Sequence, residues 1–285
     1  MTKSLPDIAN FSDWVGRSRA CREVLTPRLA TEFETTLAPY ITDIDGTVPG
    51  IFWALAPDIV PVSDLGRDGH PRTGLFLPEL PYPRRMWAGG EVIFHAPIRV
   101  GDEVIKTSVI EDVAFKSGSS GPLGFVTVRH TYAVKGVKVI EERQDIVYRP
   151  DTSPNASRSK GTTAKAETAN EVAVSWKVTA NPVMLARFSA VTFNGHRIHY
   201  DAPYATGVEG YAGLVVHGPL QATLMLNIAA STTGRLPRRF GYRGLEPLIC
   251  GAPFTVEAFK CGNGRLSTRV VARHGAVTMT GAVEP

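Results

Sequence analysis

The sequence contains few of the features that mark a secreted, membrane-bound or metal-binding protein. Only three of its 285 residues are cysteines, and the spacing of Cys21, Cys250 and Cys261 fits neither a CxxC motif nor a zinc site. The first residues lack the apolar core of an export signal, and no apolar run reaches the roughly 18 residues that a membrane span needs. We therefore expect a cytoplasmic protein with reduced thiols that does not associate with membranes.

The chain also has little excess of positive over negative charge. The formal net charge is +4, and no run of basic residues is present, which argues against binding to nucleic acid. The sequence shows no glycine-rich nucleotide loop, no cluster of metal ligands and no pattern typical of a cofactor lysine. We therefore expect neither a cofactor nor a metal. The small positive excess suits an enzyme that acts on anionic substrates.

One segment differs from the rest of the chain in composition. Residues 150–171 include no large apolar side chain and are rich in Ser, Thr, Ala, Asn and Lys. Such a segment cannot bury a face, so it predicts a linker between domains. The linker separates an N-terminal domain, residues 1–149, from a C-terminal domain, residues 172–285.

Both halves show helical signals followed by strand-like segments. In the N-terminal half, Ser12 is expected to cap a helix that includes Cys21, and Pro27 to begin a second, amphipathic helix. Segments rich in Val and Ile that alternate in polarity then predict strands. The C-terminal half repeats this outline after a first strand, with helical periodicity over residues 182–192 and 217–231. The pattern predicts an α+β fold with an antiparallel sheet around a helix in each half.

The densest polar cluster is TFNGHRIHYD at residues 192–201, and it is followed by VVHGPL at 215–220, which opens an apolar helix. Together with RFSA at 187–190 and Tyr204-Ala205, these motifs resemble the MaoC-like, R-specific enoyl-CoA hydratases. The sequence of these motifs is most similar to one branch of that family. This branch includes mitochondrial 3-hydroxyacyl-thioester dehydratase type 2 and bacterial itaconyl-CoA and mesaconyl-CoA hydratases. In the N-terminal half, RRMWAGG at 84–90, PIRVGD at 97–102 and ERQDIVYR at 142–149 resemble the degenerate first half of the same branch.

The resemblance implies a double hot-dog fold and the reversible hydration of a 2-enoyl thioester. It also implies that the N-terminal half has lost its catalytic residues and its helix, and that it shapes the substrate pocket. His199 stands at the family's catalytic histidine position, and a histidine near its free pKa can act as a base and return the proton. Gly218 stands at the family's oxyanion position, where a helix N-terminus offers unpaired N–H groups.

One residue departs from the family pattern. An aspartate usually stands five residues before the catalytic histidine, and this chain has Asn194 there. An amide can orient a water molecule but cannot exchange a proton at neutral pH. Our hypothesis is that His199 performs both proton transfers while Asn194 positions the water; the alternative is that another acid replaces the aspartate.

Several neighbouring residues are candidates for substrate binding. An anionic acyl tail or phosphate needs cations, and the N-terminal arginines could line a ligand tunnel or belong to a loop that supports the fold. Asp201 is better explained as a helix N-cap than as an acid. The predicted substrate-binding residues are Arg197, His196, His217, Arg84, Arg85 and Trp87.

The sequence leaves more than one function open. The leading interpretation is a hydro-lyase that acts on short branched or dicarboxylic acyl-CoAs, of the itaconyl-CoA or mesaconyl-CoA type. The first alternative is a 3-hydroxyacyl dehydratase for longer chains, carried by CoA or by acyl carrier protein. The second is a non-catalytic protein that binds acyl thioesters, which only Asn194 favours. A monomer and a homodimer of double hot dogs are both compatible with the sequence.

Overall fold

The computed structural model describes residues 8–118, 121–151, 172–262 and 264–285. Most of the linker predicted at 150–171 therefore lies outside the described residues. Strand β5 ends at Arg149 and β6 begins at Val172. The division into an N-terminal and a C-terminal domain stays a prediction, because a single sheet runs through both halves.

One antiparallel sheet of ten strands forms the framework, in the order β1-β3-β4-β5-β2-β7-β10-β9-β8-β6. The strands are β1 (Ser18–Val24), β2 (Arg84–Phe94), β3 (Glu103–Gly118), β4 (Gly121–Val134), β5 (Val137–Arg149), β6 (Val172–Thr179), β7 (Arg239–Gly244), β8 (Pro253–Lys260), β9 (Leu266–Ala272) and β10 (Val277–Glu284).

The strand order repeats itself in mirror image about the pair β2–β7. The first five strands run β1-β3-β4-β5-β2, and the last five run β6-β8-β9-β10-β7 when read inward from the opposite edge. Backbone pairing from Gly89↔Arg243 to Ile93↔Arg239 joins the two halves. This arrangement confirms the predicted α+β class and is that of two hot-dog units side by side.

Three α-helices accompany the sheet, and each has proline in its first turn, where the missing N–H costs nothing. Thr26 caps α1 (Pro27–Leu37) and Asn181 caps α2 (Pro182–Val191). Helix α3 (Gly218–Thr233) is buried on all sides over its central turns and packs on the strands of the C-terminal half. The shorter helical segments are Ile8–Trp14, Ile51–Ala54, Val62–Asp64, Arg197–His199 and the π-helical turn Tyr204–Val208. None of the helices in the described part of the chain is long and apolar enough to cross a membrane.

The N-terminal half has no counterpart of α3 among its described residues. Between α1 and β2 only the short turns Ile51–Ala54 and Val62–Asp64 are helical, and α1 packs against α2. The expectation of a central helix in each half is therefore wrong for the N-terminal half, which has lost its helix as the resemblance implied. The inner face of its sheet is left partly uncovered and borders a cavity of about 730 Å³.

Two local expectations were also wrong. Cys21 lies in strand β1, where inward and outward positions alternate, because pairing with β3 overrides the weak helical pattern of this short segment. The segment that begins at Arg84 is not a loop but the first part of β2, paired with β5 from Arg84↔Arg149 onward.

Candidate active site

The cavity lies between the two halves of the chain and is lined by residues from both. His199, Asn194 and Gly218 come from the C-terminal half. Arg85 and Trp87 come from β2 of the N-terminal half. The fold thus brings these five predicted site residues to one cavity.

His199 lies in the helical turn Arg197–His199 and is 6% exposed. Its Nδ1 is 2.7 Å from the carbonyl oxygen of Val215, so Nδ1–H donates to this oxygen and Nε2 is left without a proton. Burial lowers the pKa of His199 to about 4, although the bond to Val215 acts in the opposite direction. At neutral pH the imidazole is uncharged and can accept a proton at Nε2.

His217 packs against one face of the His199 ring. The two rings are stacked, with centroids 3.6 Å apart. The Nε2 atom of His217 is 2.8 Å from the hydroxyl oxygen of Ser189 on α2. His217 is fully buried and does not line the cavity, so this arrangement favours a positioning role over the predicted substrate contact.

Asn194 follows α2 and is fixed by two hydrogen bonds. Its backbone N–H donates to the Ser189 carbonyl over 2.8 Å, and its Oδ1 accepts from the His196 N–H over 3.0 Å. Oδ1 accepts this backbone N–H, and Nδ2 is the amide atom that can donate to a ligand in the cavity. Asn194 can therefore hold the oxygen of a water molecule but cannot act as its base.

Gly218 is the first residue of α3, so its N–H has no partner within the helix and carries the positive end of the helix dipole. A Cβ at this position would lie 2.6 Å from Cε3 of Trp87. Glycine is required here because Trp87 packs directly on the helix N-terminus. Trp87 in turn stacks on Tyr242 with ring centroids 4.2 Å apart.

His70 was missed by sequence reasoning. Its ring centroid is 4.6 Å from that of His196, which is 5.5 Å from that of His199, and His70 and His196 both line the cavity. Burial lowers the pKa of His70 to about 3 and that of His196 well below its usual value. No sequence signal links His70 to a motif 126 positions away; only the fold brings them together.

Two backbone segments approach each other closely where the loop before His70 meets the loop that holds Gly195 and His199. A Cβ on Gly195 would lie 2.4 Å from the carbonyl oxygen of Gly69. The N–H of Arg197 donates to the Asp68 carbonyl over 2.8 Å. Arg85 binds the Asp68 carboxylate with two nitrogens, at 3.0 and 2.8 Å, and so holds the loop in place.

Two of the predicted substrate-binding arginines do not line the cavity. Arg84 forms a buried ion pair with Glu209 over 2.6 Å. Arg197 binds Asp201 over 2.7 Å and lies over the ring of Tyr204. Each guanidinium is held by a carboxylate outside the cavity wall, which argues against the predicted substrate contact of both arginines. Asp201 accepts from the Tyr204 N–H over 3.0 Å, which confirms it as an N-cap.

No group of three or more His, Cys, Asp or Glu side chains in the described ranges is arranged to hold a metal ion. Sequence reasoning also missed polar residues on the N-terminal wall of the cavity, among them Lys106 and Glu142. The sequence signal that could have revealed them is the alternation of residues along β3 and β5. It places Lys106 and Glu142 on the same face of the sheet as their buried neighbours.

Comparisons with known proteins show which family the chain resembles. Residues 51–250 match the family model described as hydroxyacyl-thioester dehydratase type 2. The chain is 39% identical over 279 residues to the mesaconyl-C(4)-CoA hydratase of Chloroflexus aurantiacus, and the match covers 97% of this chain and 98% of that relative.

Solved structures show the same fold at lower sequence identity. A MaoC-like dehydratase from Phytophthora capsici matches with a TM-score of 0.71 at 13% identity, over 98% of each chain. A Mycobacterium tuberculosis protein described as having a double hotdog fold matches with a TM-score of 0.58 at 15% identity, over 98% of this chain and 97% of that one. These likenesses confirm the double hot-dog architecture.

Proposed function

Because this chain belongs to the hydroxyacyl-thioester dehydratase type 2 family, we propose that it catalyses the reversible hydration of a 2-enoyl-CoA thioester. The proposed acyl group is short and branched or dicarboxylic, of the mesaconyl-CoA or itaconyl-CoA type. The single observation that carries the proposal is the arrangement of His199 and Gly218 on one cavity. An unprotonated Nε2 and a free helix N-terminus are what the addition of water to an enoyl thioester needs.

The reaction follows from these atoms. The N–H of Gly218 binds the thioester oxygen, and Nδ2 of Asn194 donates to a water molecule beside His199. Nε2 of His199 takes a proton from this water as its oxygen bonds to C3 of the substrate. The electrons of the double bond move toward the thioester and form an enolate, whose oxygen the Gly218 N–H stabilises. His199 then returns the proton to C2, so that one water molecule is added across the double bond.

His199 can perform both transfers because its tautomer is fixed. The Val215 carbonyl keeps the proton on Nδ1 throughout, so Nε2 is the atom that gains and loses the second proton. Stacking on His217 keeps the ring plane constant between the two steps. On the described cavity wall Asn194 stands in the place of the family's aspartate, which supports the single-base scheme.

The test is a spectrophotometric assay that follows the enoyl-thioester absorbance with crotonyl-, mesaconyl- and itaconyl-CoA. We expect hydration, and we expect His199→Ala to lower kcat by about 10²- to 10⁴-fold, the usual contribution of general acid–base catalysis. His274→Ala, which removes an exposed histidine far along the chain, is the matched control and should leave kcat unchanged.

The assay also separates the alternatives. A near wild-type kcat for His199→Ala would overturn its assignment as the base. Hydration of crotonyl-CoA without hydration of mesaconyl- or itaconyl-CoA would overturn the substrate class, and longer enoyl thioesters on CoA or acyl carrier protein would then be assayed. Saturable binding of acyl-CoA without any change in absorbance would identify a non-catalytic binding protein.

A further inference from the structure

A row of polar side chains crosses the inner face of the N-terminal half-sheet, where the other half has α3. Cross-strand pairing aligns Arg19 with Ser108, Ser108 with His130, and His130 with Glu142, on β1, β3, β4 and β5. Lys106 lies two residues before Ser108 on β3 and therefore on the same face. We call these five residues the polar row.

The polar row occupies positions that would normally belong to a hydrophobic core. On the inner face of the C-terminal half, apolar residues such as Val256, Val270 and Met279 are buried in the core cluster that contains α3. Inward-facing polar groups cost free energy unless they are hydrogen-bonded or meet a polar ligand. Four members of the row, all except Ser108, line the cavity that contains His199.

Three members of the row are satisfied by the protein itself. Glu142 is 1% exposed and accepts hydrogen bonds from Trp53 Nε1 at 2.9 Å and from the Tyr242 hydroxyl at 2.8 Å. His130 shares a hydrogen bond of 2.7 Å between its Nδ1 and the Ser108 hydroxyl. These groups shape the wall but have little capacity left for a ligand.

The two cations of the row keep hydrogen-bond donors that the described residues do not use. The ammonium group of Lys106 has three donors, and its one hydrogen bond to a described residue is to the Leu55 carbonyl at 3.5 Å. The guanidinium of Arg19 binds Asp58 and lies 3.9 Å from the centre of the Phe76 ring, while its Nε is buried with no partner in the described ranges. Burial lowers the pKa of Lys106, while the nearby carboxylates of Asp58 and Glu142 act in the opposite direction.

The cations and the proposed reaction centre belong to one cavity. Trp87 packs between the Gly218 helix N-terminus and Tyr242, and Tyr242 donates to Glu142 in the polar row. For an acyl group whose thioester lies at Gly218, these contacts mark a path along Trp87 toward the row. The cation donors that remain on this wall match an anion better than an alkyl chain.

We propose that Lys106, assisted by Arg19, binds a carboxylate carried by the acyl group and so selects dicarboxylic acyl-CoAs over monocarboxylic ones. The inference rests on the proposed function for the identity of the thioester ligand. It goes beyond that function because it assigns substrate selection to a residue of the N-terminal half and replaces Arg84 and Arg197 as the cations that contact the acyl group.

The test compares two saturated ligands of equal chain length, succinyl-CoA and butyryl-CoA, by calorimetric titration. We expect the wild-type protein to bind succinyl-CoA more tightly. Lys106→Met should weaken succinyl-CoA binding on the order of 10- to 100-fold, the range of a hydrogen bond to a charged group, and should leave butyryl-CoA binding within about twofold. Lys177→Met, which removes an exposed lysine of β6 outside the cavity, is the matched control and should change neither.

Butyryl-CoA binding also reports whether each variant is folded, and Lys106→Gln is the second variant if Lys106→Met fails to fold. Equal weakening for both ligands, or no preference in the wild-type protein, would overturn the assignment of Lys106. Because binding is measured without turnover, failure of the proposed hydration would appear separately, as absence of activity with every enoyl-CoA.

Discussion

The base strength of His199 is set by one backbone carbonyl and by its burial. The Val215 oxygen accepts the Nδ1 proton over 2.7 Å, and burial lowers the pKa of the ring to about 4. A low pKa makes the neutral form dominant at physiological pH, and it also makes the protonated form a strong acid toward the enolate carbon. A histidine with a pKa near the operating pH would be the stronger base, so the low pKa of His199 favours the return of the proton more than its removal from water.

Gly218 allows a direct test of the proposed oxyanion position. In Gly218→Ala the new Cβ would lie 2.6 Å from Trp87 Cε3, so either the indole or the helix N-terminus must move. We expect kcat/KM to fall by about 10²- to 10³-fold, the usual cost of losing one oxyanion donor. Steady-state kinetics with the best enoyl-CoA of the assay measures the effect.

The matched control is Gly207→Ala, because a Cβ at Gly207 meets nothing within 4 Å. This variant should keep wild-type kcat/KM. If Gly218→Ala were as active as Gly207→Ala, the Gly218 N–H would not be the group that holds the thioester oxygen.

Individual residues differ in how far their roles could be predicted from the sequence. The motif NGHRIHYD located His199 and Asn194, and both line the cavity. The sequence could not show that the Asn194 Oδ1 is occupied by a backbone N–H, nor that His70 lies beside His196. The position of His70 depends on a contact between loops that are far apart in the chain. A local sequence pattern does not predict such a contact.

Among the elements, the start of β2 is tied to the C-terminal half by a buried ion pair. Arg84 and Glu209 are 2.6 Å apart, with side chains 7% and 4% exposed. We expect Arg84→Met to lower the free energy of unfolding by about 3–5 kcal/mol, because it leaves the Glu209 carboxylate buried without its cation. Urea denaturation followed by tryptophan fluorescence measures this change.

The double variant Arg84→Met/Glu209→Leu should recover part of the loss, since it removes the unpaired charge as well. Arg28→Met removes the arginine of an exposed pair with Glu32 on α1 and should have little effect. Unchanged stability of Arg84→Met, or a double variant less stable than the single one, would contradict this account of the pair.

The helices were more predictable from the sequence than β1, at one edge of the sheet, and β2, where the two halves join. Proline in the first turn and apolar periodicity located α1, α2 and α3. The start of β2 was missed because prolines and a Gly-Gly pair in its neighbourhood are typical of loops. Strand β1 was missed because a seven-residue strand gains its stability from pairing with β3 rather than from its own sequence.

For the molecule as a whole, buried histidines should make folding sensitive to acid. Burial lowers the pKa of His130 to about 3 and that of His199 to about 4, and it lowers those of His196 and His217 as well. An unfolded histidine titrates near 6.5. Below that pH the unfolded chain binds protons that the folded chain does not, so stability falls as the pH drops from about 6.5 toward 4.

Each such histidine should contribute a slope of about 1.4 kcal/mol per pH unit within that window. We expect His130→Gln to reduce the slope by about this amount, as measured by urea unfolding at pH values from 7 to 4.5. His274→Gln replaces an exposed histidine and should leave the slope unchanged. An identical slope in the wild-type protein and His130→Gln would show that His130 is not held neutral by the fold.

The loss of one helix from a mirrored sheet has a consequence for which parts of the cavity can change. Backbone pairing between β2 and β7 joins the halves, while the groups assigned to the reaction lie in the C-terminal half and the polar row lies in the N-terminal half. The polar row lies on β1, β3, β4 and β5, whereas the N-terminal residues that support the site, Arg85 and Trp87, lie on β2. Substitutions in the polar row can therefore alter the wall of the cavity while the supports of His199 and Gly218 stay in place.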